Sequence, residues 1–243
     1  MKVVVISDIH SNLEALETVL AKCGEYDALW NVGDTIGYGP KPRECIDRMV
    51  ELGADPVLVG NHDLACIGEL DLSEFNPVAQ IASRWTSLQL GMDHRSYLQD
   101  LPAMTDSDGY TLAHGSPRSP IWEYVTSAPV ATENFGWFDT RVCFIGHTHV
   151  AMYAKLGEKC EQAEILPLRD GDSLDLTKDR FIINPGSVGQ PRDRDPRAAY
   201  AVLDLSNDSL TAHRVEYDIA ATQRQMAMAN LPDVLIGRLA HGI

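Results

Sequence analysis

Short apolar runs alternate with helical patterns along the first part of the chain. Three runs rich in β-branched and other apolar residues predict buried strands at residues 2–7, 28–32 and 56–59. Between them, apolar residues recur at helical spacing over 13–23 and 43–52, and a glycine ends each pattern. Asn12 stands where its side chain can cap the first helix. This strand–helix–strand order predicts a parallel sheet with right-handed crossovers.

The pattern changes twice further along. Residues 64–101 have helical periodicity and few chemically distinctive groups, which suits either a helical cap over a site or helices packed on the sheet. Two more short buried strands are predicted at 111–113 and 142–145. After residue 149, turns separate short apolar runs at 151–156, 164–168, 181–183, 199–205 and 210–216. These runs predict an antiparallel stretch that forms a second sheet, followed by a helix at 219–230.

Length and composition fit one globular domain. The chain has 243 residues, of which 44% are hydrophobic, so residues 1–243 are interpreted as a single domain with 64–101 as its candidate cap. The net charge of -15 argues against binding of a nucleic acid polymer. A small phosphorylated substrate stays compatible with this charge, because bound divalent cations reverse its sign locally.

Cysteine usage and hydropathy indicate the compartment. The five cysteines include no CxxC pair and mostly lie in apolar runs, as expected of thiols in a reducing environment. No stretch approaches the roughly 20 apolar residues that a membrane span needs, and the apolar run at the start is too short for a signal peptide. We therefore expect a soluble cytoplasmic protein with no membrane partner; the sequence leaves the oligomeric state open.

Polar clusters follow five of the predicted strands. They read Asp8-Ile9-His10-Ser11-Asn12, Gly33-Asp34, Gly60-Asn61-His62-Asp63, His114-Gly115 and Gly146-His147-Thr148-His149. Because α/β proteins place their sites at the carboxyl ends of parallel strands, the clusters are expected to converge at one sheet edge. Carboxylate, imidazole and amide oxygen ligands suit Mn, Fe, Zn, Ni or Co. Seven such groups are too many for one divalent ion but enough for two, if one carboxylate bridges them.

The motif series DIH, GD, GNHD, HG and GHTH resembles the calcineurin-like metallophosphoesterase family, in its small bacterial and archaeal phosphodiesterase type. The motifs occur in order over residues 8–149. The resemblance implies an α/β fold, a four-layer α-β-β-α sandwich of two mixed sheets flanked by helices. It also implies dinuclear metal-dependent hydrolysis of a small phosphate ester, as phosphodiesterase or phosphatase, with a metal-bridging hydroxide attacking phosphorus in line.

The same resemblance assigns roles to the motif residues. It gives the first ion to Asp8, His10 and His149, the second to Asn61, His114 and His147, and the bridge to Asp34. His62 is implied as the catalytic residue, close to the phosphate and the leaving oxygen without binding metal. Two departures, at Gly37 and Val59, replace an acidic residue and an arginine found in the phosphoprotein phosphatases of the superfamily. They disfavour that activity and leave open what orients His62.

Several residues outside the motifs are candidate substrate contacts. The segment 184–192, NPGSVGQPR, is either a plain connection between strands or a substrate loop, since small phosphodiesterases of the family have a similar NPGS segment. Asn12, Arg118 and Arg192 are candidate substrate-binding residues, with solvated surface arginines as the alternative for the last two. The aromatic side chains that either stack on a nucleobase or pack in the core are Trp122, Tyr124 and Trp137.

Two other functions stay open at this point. One is hydrolysis of a dinucleoside polyphosphate, which some bacterial relatives catalyse. The other is a non-catalytic binding scaffold with the same fold, as in a trafficking-complex subunit of the family. The complete ligand set and His62 count against the scaffold, because such subunits tend to lose ligands.

Overall fold

The computed structural model describes all 243 residues. Its strands are β1 (Lys2–Ile6), β2 (Ala28–Asn31), β3 (Met104–Ser107), β4 (Tyr110–Ala113), β5 (Val142–Ile145), β6 (Met152–Leu156), β7 (Glu164–Pro167), β8 (Ser173–Asp175), β9 (Arg180–Asn184), β10 (Ala198–Asp204) and β11 (Ser209–Val215). Its α-helices are α1 (Leu13–Lys22), α2 (Pro42–Glu51), α3 (Asn61–Ile67), α4 (Pro77–Gln89), α5 (Met92–Gln99), α6 (Ala128–Asn134), α7 (Ile219–Met228) and α8 (Asp233–Arg238).

The strands form two mixed sheets, one in the order β2-β1-β10-β11-β8 and one in the order β3-β4-β5-β9-β6-β7. The pairs β1–β2, β4–β5 and β5–β9 are parallel, and the other pairs are antiparallel. The expected α/β class, with two mixed sheets flanked by helices, is confirmed.

The strand assignment needs two corrections. The strands after residue 149 do not build a second sheet of their own, because β8, β10 and β11 extend the sheet of β1, while β6, β7 and β9 join β4 and β5. The run 56–59 is not a strand of either sheet: only Val57 makes an isolated parallel bridge, to Asn31, and the amide of Val59 bonds to the carbonyl of Pro102 instead. The elements β3, β8, α6 and α8 were not predicted.

Alternate residues of β1 serve two different cores. Val3 and Val5 lie in the core between the sheets, whereas Val4 and Ile6 pack with α1 and α2. This double burial explains why β1 is a continuous apolar run rather than an alternating one. On the second sheet, Cys143 and Ile145 of β5 face α6 in the same way. The layer order is therefore helices, sheet, sheet, helices.

Helices α3, α4 and α5 account for the helical pattern predicted over 64–101. Their apolar side chains pack partly against Ile46 of α2 and partly against Met226 and Leu235 of the C-terminal helices. Phe75, in this segment, contacts the ring of His62 at 5.2 Å between centroids, so the segment borders the predicted site. The separate cap role of this segment stays a prediction. None of the helices combines the length and the apolar character that a membrane crossing requires.

Phe144 lies at the centre of the core between the sheets. Its ring is 6.2 Å from that of Trp30 and 6.0 Å from that of Tyr110, and its side chain is fully buried. Phe144 thus contacts aromatic side chains from both sheets.

We expect Phe144→Ala to lower the free energy of unfolding by about 3–5 kcal/mol, through lost burial and the cavity that remains. Leu88→Ala is the matched control, since Leu88 is 84% exposed and its loss should change stability by less than about 0.5 kcal/mol. Urea unfolding followed by circular dichroism measures both. Equal midpoints for Phe144→Ala and the wild type would contradict this account of the core.

Candidate metal centre

The polar clusters meet where the two sheets adjoin, rather than at one edge of a single sheet as predicted. Asp8 and Asp34 follow strands β1 and β2 of the first sheet, while His114 and His147 follow β4 and β5 of the second. The amide of His147 donates to Asp8 Oδ2 at 3.1 Å, which ties the sheets together at this point. The site is thus built from both halves of the sandwich.

Tight backbone turns aim the side chains inward. Five of the seven predicted ligands have left-handed backbone, with φ between 48° and 65°: Asp8, His10, Asp34, His147 and His149. Such residues are uncommon outside glycine and are typical of functional turns. Two glycines give room for the close approach: a Cβ on Gly33 would lie 2.6 Å from His114 Nδ1, and one on Gly60 2.1 Å from Asp34 Oδ1.

The structure brings the predicted ligands together in two groups that share Asp34. Asp8, His10, Asp34 and His149 form one group, and Asp34, His114 and His147 form the other, with the ligand atoms of each group within 4.8 Å of one another. Asn61, at the start of α3, joins the second group through its Oδ1, 3.3 Å from His114 Nε2. All seven side chains are buried.

Main-chain carbonyl groups fix the tautomer of three of the histidines. His10 Nδ1 lies 3.1 Å from the carbonyl of Ile36, and His149 Nδ1 lies 2.7 Å from that of Gln190. His114 Nδ1 contacts the carbonyl of Val32 at 2.9 Å. A carbonyl only accepts, so each Nδ1 carries a proton and each Nε2 faces the site, where it offers a lone pair when the ring is neutral.

The atoms that face the site are short of donors. His10 Nε2 and His149 Nε2 lie 3.0 Å apart, so two lone pairs oppose each other when both rings are neutral. Asp34 Oδ2 is buried with no hydrogen-bond partner, 3.6 Å from His10 Nε2 and 3.4 Å from His114 Nε2. His147 Nε2 is also buried without a partner. Acceptors gathered in this way fit divalent cations.

Burial and charge shift the titration of this cluster. Burial raises the pKa of Asp8 to about 7, and the neighbouring charge of Asp34 adds to the rise. Burial also tends to raise the pKa of Asp34, but attraction to His114 and the other imidazoles outweighs it and holds that pKa well below its usual value. For His114, burial lowers the pKa and attraction to Asp34 raises it, to about 9. Asp34 is therefore the anionic centre on which the imidazoles converge.

His62 lies beside this cluster without belonging to it. Its amide donates to Asp34 Oδ1 at 2.9 Å, while its ring packs on Tyr38 at 4.3 Å between centroids. Burial lowers the pKa of the imidazole to about 4, and Nδ1 has no hydrogen-bond partner. A Cβ on Gly37 would lie 3.0 Å from the Cβ of His62. The ring of His62 is thus oriented by packing on Tyr38 and by its close approach to Gly37, and not by an acidic partner.

Asp63 does not orient His62 but fixes the turn that carries it. Its carboxylate accepts hydrogen bonds from the amides of Gly60, Thr35 and Ile36 at 2.9–3.2 Å. These bonds join the start of α3 to the loop that holds Asp34. The motif GNHD therefore supplies one predicted ligand, one free imidazole and one structural carboxylate.

The NPGS segment supports the site from behind. Asn184 donates to the carbonyl of Gly146 at 2.6 Å and to Thr148 Oγ1 at 2.9 Å, which holds the turn of His147 and His149. Ser187 Oγ donates to the carbonyl of Asp8 at 2.8 Å. The segment thus stabilises the turns that carry the predicted ligands, and only the Arg192 side chain, at its end, borders the site.

Two of the three predicted substrate contacts have protein partners instead. The Asn12 side chain caps α1 through Ala15 N and bonds Gly189 O, Tyr217 and Thr222, so both of its polar ends are occupied. Arg118 forms ion pairs with Glu123 and Glu133. Substrate binding by Asn12 and Arg118 stays a prediction without support from these contacts.

Arg192 and two aromatic side chains border the site. The Arg192 guanidinium lies 5.7 Å from the ring centroid of Tyr38 and makes no ion pair with a carboxylate. Tyr124 stacks on His147 at 4.1 Å, and Trp122 packs on Phe75 at 5.1 Å. Tyr38 forms a wall of the site through its contacts with the rings of His10 and His62, which its position in the sequence does not reveal.

Comparison with known proteins agrees with this architecture. The calcineurin-like phosphoesterase superfamily domain matches residues 1–208. A metallophosphoesterase of known structure from Sphaerobacter thermophilus is 49% identical, with a TM-score of 0.91 and coverage of 100% of this chain and 99% of that one. An uncharacterized protein of Methanocaldococcus jannaschii is 35% identical over 99% of this chain and 98% of its own length.

A more distant similarity covers part of the chain. A symmetrical bis(5'-nucleosyl)-tetraphosphatase of Vibrio campbellii is 26% identical over 141 residues, which are 55% of this chain and 51% of that protein. This chain therefore spans about half of the length of that relative. The family match and the buried cluster of acceptors together show that the chain belongs to the calcineurin-like phosphoesterase superfamily and is a metal-dependent phosphoesterase.

Proposed function

We propose that this phosphoesterase hydrolyses small phosphate esters with two divalent cations held on either side of Asp34. One observation carries the proposal: His10 Nε2 and His149 Nε2 face each other at 3.0 Å while a main-chain carbonyl occupies each Nδ1. A cation relieves this opposition of lone pairs, whereas a proton relieves it only by placing a charge on a buried ring.

The two groups of side chains divide the ligands between the ions. Asp8, His10 and His149 would hold the first ion, and Asn61, His114 and His147 the second. Asp34 would serve both, since its Oδ2 lies within 3.6 Å of a ring nitrogen in each group. When bound, two divalent ions about 3.5–4 Å apart polarise the phosphoryl group, lower the pKa of water and stabilise in-line displacement.

The chain's own side chains would complete the site. His62 is held beside Asp34 by its amide and by Tyr38, with Nδ1 free to donate to a phosphoryl or leaving-group oxygen when protonated. The guanidinium of Arg192 would offset the charge of the bound phosphate in a protein whose net charge is -15. The buried position of the ligands limits access of bulk water.

Hydrolysis of a dinucleoside polyphosphate is the second candidate. The bis(5'-nucleosyl)-tetraphosphatase similarity favours it, and so do Trp122 and Tyr124, which are 36% and 49% exposed at the border of the site. Exposed aromatic rings there can stack on a nucleobase. Trp137, 58% exposed, stacks on neither of these rings.

Turnover of three substrates separates these activities. p-Nitrophenyl phosphate, bis(p-nitrophenyl) phosphate and diadenosine tetraphosphate are assayed side by side after chelation and reloading with Mn, Fe, Zn, Ni or Co. We expect hydrolysis that chelation abolishes and reloading restores, with at least one ester turned over. No turnover of any of the three with any metal would refute the proposal.

Replacing the bridging carboxylate should remove both ions. We expect Asp34→Asn to lose dinuclear loading and about 100-fold or more in turnover, because one neutral amide cannot hold two cations close together. Asn61→Ala should lose less metal and less turnover, since it removes one neutral oxygen from one ion.

Elemental analysis after dialysis against Mn²⁺ gives the ion count. Asp100→Asn, an exposed carboxylate, is the control. Two tightly held ions and normal turnover in Asp34→Asn would overturn the assignment.

Loss of the His62 imidazole should slow the reaction while both ions remain. General-acid help is worth about 100- to 10,000-fold, so His62→Ala is expected to lose that much on an alkyl ester and less on a nitrophenyl ester, whose leaving group needs no proton. The comparison uses metal content and turnover of both esters, with His241→Ala, at an exposed histidine, as the control.

The ratio of the two losses decides the role. An equal loss on both esters would assign His62 to the phosphoryl oxygens instead of the leaving oxygen. Loss of metal in His62→Ala would contradict its separation from the seven ligands.

A further inference from the structure

Two arginines from distant parts of the chain converge on one neutral oxygen. Arg192, at the end of the NPGS segment, donates to Gln190 Oε1 from Nε at 3.3 Å and from Nη2 at 2.8 Å. Arg238, the last residue of α8, donates to the same Oε1 from Nη1 at 3.3 Å. The second contact of Arg238 is to the main-chain oxygen of Ile243. The two guanidinium groups are therefore neighbours around one amide.

No carboxylate side chain compensates this pair. Other arginines of this acidic protein have carboxylate partners, such as Asp193 for Arg214 and Asp195 for Arg197. Arg192 and Arg238 are half-buried and form no ion pair with a carboxylate side chain. Their mutual repulsion contributes to lowering the pKa of Arg238, after the larger effect of burial. The Arg192 guanidinium has a neutral amide oxygen as its only hydrogen-bond partner, and the neighbouring Arg238 adds a second positive charge, so a bound anion would stabilise the pair.

Each guanidinium has a donor to spare. Arg192 Nη1 and Arg238 Nη2 make no hydrogen bond within the protein. Neither atom is fully buried. Both groups are consequently accessible to a ligand. Planar guanidinium forks suit the oxygens of a phosphoryl group, which accept two parallel bonds.

The pair extends outward from the metal centre. The amide of Arg192 bonds the carbonyl of His149 at 3.1 Å, and its guanidinium lies over Tyr38, whose ring also contacts His10 at 4.8 Å. Arg238 and Tyr38 both line a cavity of about 290 Å³. A substrate group beside Arg238 thus has open space around it.

We infer that Arg192 and Arg238 form a subsite for a second phosphoryl group of the substrate, next to the one that is hydrolysed. The inference rests on the proposed function for the position of the first phosphoryl group. It narrows the substrate class to organic diphosphates and longer phosphate chains, in which a further anionic group follows the reacting phosphorus. Simple monoesters and diesters would bind without using Arg238.

Binding of two ligands that differ by one phosphoryl group tests the subsite. Adenosine 5'-monophosphate and α,β-methylene-ADP are titrated by calorimetry into Mn²⁺-loaded protein, with free Mn²⁺ held constant. We expect the wild type to bind the second ligand at least tenfold more tightly than the first. Arg238→Gln and Arg192→Gln should each reduce that preference to about threefold or less, since each removes charged hydrogen bonds to the added group.

Two further variants make the comparison specific. Arg224→Gln removes an exposed charge of α7 and should keep the full preference. Arg238→Lys should keep part of it, which separates charge from the packing of α8. If Arg238→Gln does not fold, Arg192→Gln and Arg238→Lys still decide the question.

The outcomes separate the two proposals. An equal affinity of the wild type for both ligands, or a full preference in both glutamine variants, would overturn the subsite even if phosphate esters are hydrolysed. A preference that depends on both arginines would support the subsite even if none of the three assayed esters is turned over, because binding needs no catalysis.

Discussion

Four imidazoles and two carboxylates are buried together in this protein, and their site-facing atoms are mostly acceptors. Such a cluster is costly to bury without cations, because neither water nor enough donors compensate it. The hydrogen bonds behind the cluster hold it in that state. Since the carbonyls of Ile36, Val32 and Gln190 each accept a hydrogen bond from one imidazole Nδ1, the opposite Nε2 atoms all face the site. The rest of the structure is arranged around this constraint.

Three supports keep the acceptors in place. The core around Phe144 fixes the two sheets against each other, so that ligands from both sheets meet. Asp63 ties the Asp34 loop to the start of α3, and Asn184 ties the turn of His147 to the second sheet. The last two supports each use a buried polar side chain with good hydrogen-bond partners, which is the arrangement that rigidifies a functional site. The positions of the predicted ligands thus depend on residues that lie outside the cluster.

The sequence predicted the parts of this arrangement that are local. Strands β1, β2, β4 and β5 and the residues that follow them could be located, because a short apolar run followed by Asp, Gly or His is visible within a few residues. Strand pairing could not, since nothing near β10 or β11 says that they join β1 rather than β9. The run 56–59 misled for a similar reason: it is buried, but it meets β2 only in an isolated bridge at Val57, and the amide of Val59 bonds to Pro102 instead. The helix cap at Asn12 was predicted, but its contacts with residues far along the chain were not, and neither was the role of Asp63. Arg238 lies in a tail without a clear pattern.

The central claim is that two cations share Asp34. Anomalous diffraction from crystals soaked in Mn²⁺ tests it most directly, because the positions of the ions are seen independently of activity. We expect two peaks about 3.5–4 Å apart, one on each side of Asp34 Oδ2, with His10 and His149 at the first and His114 and His147 at the second. A single peak at full occupancy, or peaks that Asp34 does not touch, would contradict it.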